Sequence, residues 1–280
     1  MFGQESFFQK QPPESLFRYR SIKYADDEIR NNHIHLSSPS SFNDPFDSCY
    51  SICGADSEIR DNLRKYGLNG DDYLADLVCA YTNSIKHGEL LKLREQIKVC
   101  CFSERNDSLS MWTHYASYHR DICIEYDASK MIQKSLRPWP VLYTAEMESR
   151  PFLNNGNVTK DYIRLACLNK SKEYSVDKEW RIIKTNMDTD KLNVTGCIKA
   201  IYLGARYFHE RDYEGGNDEK IKLDDLVNFC IENNILVHRM MTNFSNYSLD
   251  VSPIYDPRNP EETKLGKWNY NAFFSSKIQR

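Results

Sequence analysis

The sequence has no long apolar run: nothing in its 280 residues approaches the roughly 20 apolar residues of a membrane-spanning helix. Met1 to Pro13 is polar and has no apolar core of the kind a secretory signal carries, so a cytoplasmic chain that engages no membrane is expected. Glycine is sparse, at 11 residues, and neither common glycine-rich phosphate loop occurs, which removes the usual mononucleotide and dinucleotide folds. An excess of one charge is also missing. The 37 Lys and Arg against 40 Asp and Glu leave a net charge of −3, which argues against a broadly basic nucleic-acid binder. Convergent metal-ligand spacing is lacking too: Cys49 and Cys53 have no matching pair downstream, His33 and His35 merely alternate, and no metal is expected.

What is present is a generous set of aromatics, 18 Tyr and 13 Phe, and nine cysteines. The cysteines are odd in number and several sit in apolar runs such as Val99-Cys100-Cys101-Phe102, the pattern of reduced, buried thiols. Alternation predicts strands at 16–20, 33–36, 97–103, 121–126, 139–143, 177–184, 198–204 and 235–240. Helical character is read at 24–32, with its acids near the positive end, and at 110–119, 160–170 and 222–233. Single strands mixed with unequal helices indicate an α+β fold. One domain over 16–250 is expected, with a leader at 1–15, a helical insertion at about 56–96, and an irregular tail at 251–280 marked by Pro253, Pro257 and Pro260.

Four constellations carry chemical interest. Val176 to Ile183 reads as a strand whose period of two puts Asp177, Glu179 and Arg181 on one face. Neighbouring carboxylates repel, so the pair makes sense where a positive charge sits or develops between them. Arg18 and Arg20 share one face of the first strand, suited to gripping a phosphate or carboxylate. Ser103 ends a strand that leads into a helix with Trp112, Tyr115, Ala116 and His119 at helical spacing and His114 off that stripe. Asn43 and Asp44, before Pro45, favour a turn and are also free to line a cleft.

Phe17-Arg18-Tyr19-Arg20-Ser21, the run Leu36 to Asp47, Met111-Trp112-Thr113-His114-Tyr115-Ala116 with His119, and Lys178-Glu179-Trp180-Arg181 together resemble a bacterial family of unknown function often met among phage-defence genes. One departure is Asp121, where that family favours glycine. The order basic strand, strand ending in serine, then acid-x-Glu strand is also similar to ADP-ribosyltransferases of the Arg-Ser-Glu type. That resemblance implies a split mixed sheet, NAD as substrate, and cleavage of the nicotinamide–ribose bond. It assigns Arg20 (or Arg18) to the phosphates or ribose, Ser103 to the nicotinamide ribose, and Glu179 to the ribose hydroxyl and the oxocarbenium-like state. Asp177 takes the acceptor side, while Trp112 or Tyr115 would sandwich the nicotinamide, with His114, Asn43 and Asp44 about the cofactor. Only one hydroxyl of the family's serine-threonine-serine pattern is kept.

The function this implies is a toxin-like or antiviral effector that transfers ADP-ribose to a macromolecule, a nucleotide or water, with a neutralising or sensor protein as a further partner. Two other classes stay open. One is a non-catalytic sensor or partner-binding module. The other is a metal-dependent nucleic-acid enzyme built on Asp44, Asp47, Asp177 and Glu179.

Overall fold

The computed structural model describes residues 10–48, 96–146, 153–154, 157–158, 167–185, 187–207 and 217–259. The helical insertion expected at about 56–96 therefore lies, but for its last residue, outside the described residues. In chain order the strands are β1 (Ser15–Arg20), β2 (His33–His35), β3 (Ile97–Ser103), β4 (Ile122–Asp127), β5 (Trp139–Pro140), β6 (Leu142–Thr144), β7 (Leu153–Asn154) and β8 (Asn157–Val158). They continue with β9 (Asn169–Ser171), β10 (Glu179–Thr185), β11 (Lys191–Asn193), β12 (Ile198–Leu203), β13 (Leu236–Asn243) and β14 (Ser248–Tyr255). The α-helices are α1 (Ile22–Arg30), α2 (Leu109–Tyr115), α3 (Ala128–Gln133) and α4 (Asn217–Glu232). An eight-stranded sheet in the order β14-β13-β12-β4-β1-β3-β10-β5 carries the fold, with β12 and β13 parallel and the other neighbours antiparallel. The architecture is mixed α+β.

Alternation divides the sheet between two apolar layers. Leu16, Phe102, Ile122, Ile124, Tyr126, Trp180 and Ile182 join residues of α1 and α4 on one face. Tyr19, Cys123, Ala200 and Tyr202 join Met111, Trp112 and Ala116 on the other. The register follows: Arg18 and Arg20 stand opposite Ile124 and Ile122 and belong to the α1 layer, whereas Phe17 and Tyr19 belong to the α2 layer. In β10 the charged and apolar faces are exchanged, with Trp180 and Ile182 toward α1 and Glu179 and Arg181 away from it.

The neighbours β1 and β3 share a single register pair, Phe17 with Ser103, and then part. Farther along β3, the edge that β1 has left is met by Ser37. Its amide donates to the Val99 carbonyl at 2.9 Å, and the Val99 amide donates back at 2.8 Å. Between these two attachments the sheet is open, and a cleft forms there.

Several expectations are corrected. Asp177 is not in the strand: it closes the 3₁₀ turn Lys172–Asp177, Lys178 follows with φ of 45°, and β10 starts at Glu179. The helix read to His119 stops at Tyr115, because Ser117, Tyr118 and His119 all have positive φ. The helix expected at 160–170 gives way at its end to β9, paired parallel with β6; residues 160–166 lie outside the described set. The strand read at 139–143 is two short ones, β5 and β6, in different sheets. Val251 to Tyr255, assigned to the irregular tail, belongs to β14, and Pro253 is accepted because β14 is the sheet's outermost strand. Finally, α1 begins at Ile22, so no acid lies in its first turn; Glu28 instead points inward and is buried.

The left-handed run at 117–119 is fastened to the end of β12. Gly204 donates its amide to Asp121 at 2.9 Å, Arg206 donates to His119 at 2.9 Å, and a Cβ at 204 would collide with the His119 carbonyl.

Candidate functional site

The cleft at the parting of β1 and β3 has a volume of about 820 Å³. Arg18, Tyr19 and Arg20 of β1, Cys101 of β3, Glu179 and Arg181 of β10, and Lys170 of β9 line it, together with Asn43, Asp44 and Asp47 of the polar loop. Tyr24, Phe42, Tyr115 and Tyr174 supply aromatic surface, and His35, His114 and Asp190 are also at its margin.

On the α1 side one carboxylate serves two guanidiniums. Glu28 accepts from Arg20 Nη2 at 2.5 Å and Nε at 3.2 Å, from Arg18 Nη2 at 3.4 Å, and from the His35 amide at 3.2 Å. Burial pushes the Glu28 carboxyl up, but the two arginines outweigh it and hold the group below its ordinary range. Arg18 is further fixed by donating to the His35 carbonyl at 2.9 Å and to the Cys100 sulfur. Arg20 is the more open of the two and lies over the Tyr24 ring at 5.0 Å. With two cations to one buried carboxylate, this wall carries a surplus positive charge.

On the β10 side two cations pair with two carboxylates, Asp47 and Glu179, and a third acid, Asp177, stands close by. Arg181 makes a bidentate pair with Asp47, both contacts at 2.6 Å, and donates to Glu179 Oε2 from Nη2 at 2.8 Å and Nε at 3.1 Å. It also reaches the Cys167 carbonyl at 2.8 Å. Lys170 donates to Glu179 Oε1 and stands 3.8 Å from Asp177. All five side chains are buried. Burial raises the Glu179 and Asp47 carboxyls, yet the adjacent cations prevail and both end below their ordinary range. Asp177 goes the other way: burial pushes it up, Lys170 only partly opposes that, and its Oδ1 has no hydrogen-bond partner. The Glu179 amide donates to the Tyr143 hydroxyl at 2.8 Å, which anchors the start of the strand.

The structure thus brings together in one cleft Arg18, Arg20, Glu179, Tyr115, His114, Asn43 and Asp44. Asp44 does form the expected turn, its Oδ1 accepting from the Phe46 amide at 2.9 Å, while Oδ2 is buried without a partner. Tyr115 is partly open, and burial pushes its hydroxyl up to about 12. Three predicted members are set apart from this lining. Ser103 is fully buried and spends its hydroxyl on the backbone, donating to the Asp177 carbonyl at 2.7 Å and accepting from the Arg105 amide at 3.0 Å. It holds the turn that delivers Glu179 and presents nothing to a ligand sugar. Trp112 is also fully buried, its Nε1 donating to the Asn106 carbonyl at 2.8 Å, its ring stacked on His119 and edge-on to Tyr19. It packs behind the cleft and cannot sandwich a nicotinamide. Asp177 is buried 3.8 Å from Lys170 and does not reach the lining.

Sequence reasoning missed Lys170 and Glu28 as members of the site. An arginine flanked by Trp180 and Ile182 in a buried strand demands carboxylate partners, a signal that could have led to the Asp47 loop. Nothing comparable marks Lys170, which sits in a segment read as helix. The metal-dependent reading is weakened: the guanidinium of Arg181 already occupies the position between Asp47 and Glu179 that an ion would need.

Among the described residues no helix is long and apolar enough to cross a membrane. No curated protein and no solved structure matches the chain significantly. The segment from α2 into β10, residues 111–182, does match a family model described as a protein of unknown function (DUF2971), and among the cleft residues it includes Tyr115, Lys170, Glu179 and Arg181.

Proposed function

We propose that the chain binds NAD in this cleft and cleaves the bond between nicotinamide and ribose, passing ADP-ribose to an acceptor or to water. The observation that carries the reading is that Arg20 and Glu179 line one cavity although they leave the sheet on opposite faces. Only an extended ligand threading the parting between β1 and β3 meets both, and a dinucleotide has that form. Arg20, the more open of the two guanidiniums that share Glu28, takes the phosphates. Tyr115 and Tyr174 offer ring faces for the base or nicotinamide.

Glu179 is suited to the ribose. A carboxylate offers about four acceptor positions; Lys170 takes one on Oε1 and Arg181 takes two on Oε2, leaving a direction on Oε1 for a sugar hydroxyl. As the glycosidic bond breaks, positive charge grows on the ribose and the fixed carboxylate stabilises it. Asp177, which the sequence pattern would put on the acceptor side, is not in the cleft lining and is left out of the proposal. The resemblance to defence-associated proteins makes a toxin-like role, with a neutralising or sensing partner, part of the same proposal.

A second reading has its own support. Lys170 and Arg181 neutralise much of the field Glu179 would exert, which suits a nucleotide sensor without chemistry. One experiment separates the two: purified chain is given NAD labelled on the adenylate, and free nicotinamide and label transfer are followed for wild type, Glu179→Gln and Arg20→Ala. Catalysis requires turnover that Glu179→Gln lowers by about 100-fold or more; Arg20→Ala weakens NAD binding by roughly ten- to a hundredfold. Tight binding with no turnover in the wild type replaces the enzyme with the sensor, and no binding at all ends both.

A further inference from the structure

Near the arginine wall, α1 and β2 assemble a second group. One ligand atom from each of Asp27, His33 and His35 lies within 4.8 Å of the other two. We propose that these residues form a site for a divalent transition metal, zinc in the first instance, independent of the NAD reading.

The placement follows from local structure. His33 and His35 are two apart in β2, so both project from the same side, and β11 backs them with Asn193 opposite His33 and Lys191 opposite His35. Asp27 reaches them from the last turn of α1. Its Oδ1 is fixed by Asn31 at 2.6 Å, leaving Oδ2 at 3.1 Å from His33 Nε2 and 3.6 Å from His35 Nε2. Around a tetrahedral ion with bonds of about 2.0–2.1 Å, ligand atoms stand about 3.3 Å apart. The two separations bracket that distance.

His33 supplies the independent sign. The residue is buried, its Nε2 faces Asp27 Oδ2, and yet the atom has no hydrogen-bond partner. A buried ring nitrogen left unsatisfied beside a carboxylate is costly unless a third atom completes the contact. His35 turns its other nitrogen, Nδ1, toward Asp190 at 3.8 Å. At that distance the carboxylate is not hydrogen-bonded to the ring but stands on the side from which metal-binding imidazoles ordinarily receive outer support. Two imidazoles and one carboxylate leave coordination positions open, as in sites that engage a further ligand. His35 and Asp190 also border the cleft, so the ion would stand at its margin. Lys191 Nζ lies 3.4 Å from Asp27 Oδ2 on an exposed side chain and is the competitor the ion must displace.

The test uses the full chain, stripped with a chelator, then titrated with Zn²⁺ by calorimetry and with Co²⁺ by visible absorption. One equivalent is expected, with ligand-field bands and no thiolate charge transfer. Asp190→Asn should weaken binding about tenfold, and His35→Ala and Asp27→Asn should weaken it more. Lys191→Ala should tighten it. His33→Ala is the variant most exposed to misfolding, so the partly exposed His35 and Asp27 decide the outcome, with circular dichroism as the control. Absence of binding, a thiolate charge-transfer band, or unchanged affinity in His35→Ala overturns the site. No step of this assay involves NAD, so its failure and that of the NAD reading are separable.

Discussion

On the α1 wall of the cleft one carboxylate, Glu28, answers two guanidiniums; on the β10 wall two cations, Lys170 and Arg181, answer Glu179 and Asp47 with Asp177 close by. Both groups lie largely out of water, where a charge is tolerated only with partners. The matched wall behaves as structure, because each of its members would be stranded by loss of another. The unmatched wall holds two guanidiniums on one carboxylate, and of the two Arg20 is the side chain that solvent reaches better. Ion pairing in the interior therefore tells which charges are committed, and the remainder is what a ligand meets.

The largest effect expected from this contrast is on stability. Arg181→Met leaves Asp47 and Glu179 buried without their main partner and should lower the unfolding free energy by about 3–5 kcal/mol, read from urea denaturation. Arg20→Ala in the same measurement should cost only roughly 1–2 kcal/mol, since Arg18 continues to pair with Glu28. Equal losses would erase the distinction between the walls.

Acid sharpens it next. Glu28, Asp47 and Glu179 have folded-state pKa values below the unfolded ones, so the stability they contribute is present above the ordinary carboxylate range and is lost as pH falls through it toward the folded values. In that window the unfolded chain holds the extra protons, and stability should fall by about 1.4 kcal/mol per pH unit for each of them. Asp177 has the opposite sign. Its folded value is raised, so the folded chain takes up the proton first and gains stability as pH falls through that value toward the ordinary one. In denaturation at stepped pH, Glu28→Gln should flatten the acid fall, and Asp177→Asn should remove the opposing gain and steepen it. A variant set with parallel curves would contradict the assignment.

The smallest effect concerns Ser103. Ser103→Ala removes one hydroxyl that serves two backbone groups and should cost about 1 kcal/mol while leaving nucleotide affinity unmoved. A large affinity loss with little change in stability would return the hydroxyl to the ligand.

The strands of the sheet's centre were legible because alternation with β-branched and aromatic residues is a strong signal; β1, β4 and β12 fall within a residue of expectation. The site was legible in part. Arg20, Glu179 and Asp44 line the cleft as residue type and position suggested. Asp177 left its expected face because Lys178 takes a left-handed conformation, which a lysine does not advertise. The positive charge expected between the two acids turned out to be resident, in Lys170, a residue brought there by a parallel pairing of β6 with β9 that local sequence does not encode. Ser103 misled because a hydroxyl at a strand end satisfies backbone as readily as ligand, and Trp112 because a buried aromatic on a helix packs on its neighbours as readily as on a ligand ring.

Gly204 gives position 204 a reach beyond its own turn. A side chain there would push on the His119 carbonyl, His119 stacks on Trp112, and Trp112 abuts Tyr19, which stands between Arg18 and Arg20. Close packing transmits such a displacement instead of absorbing it. A substitution two strands away from the cleft is thus wired to the spacing of Arg18 and Arg20, and variation at this glycine would register in the shape of the cleft before any residue lining it had changed.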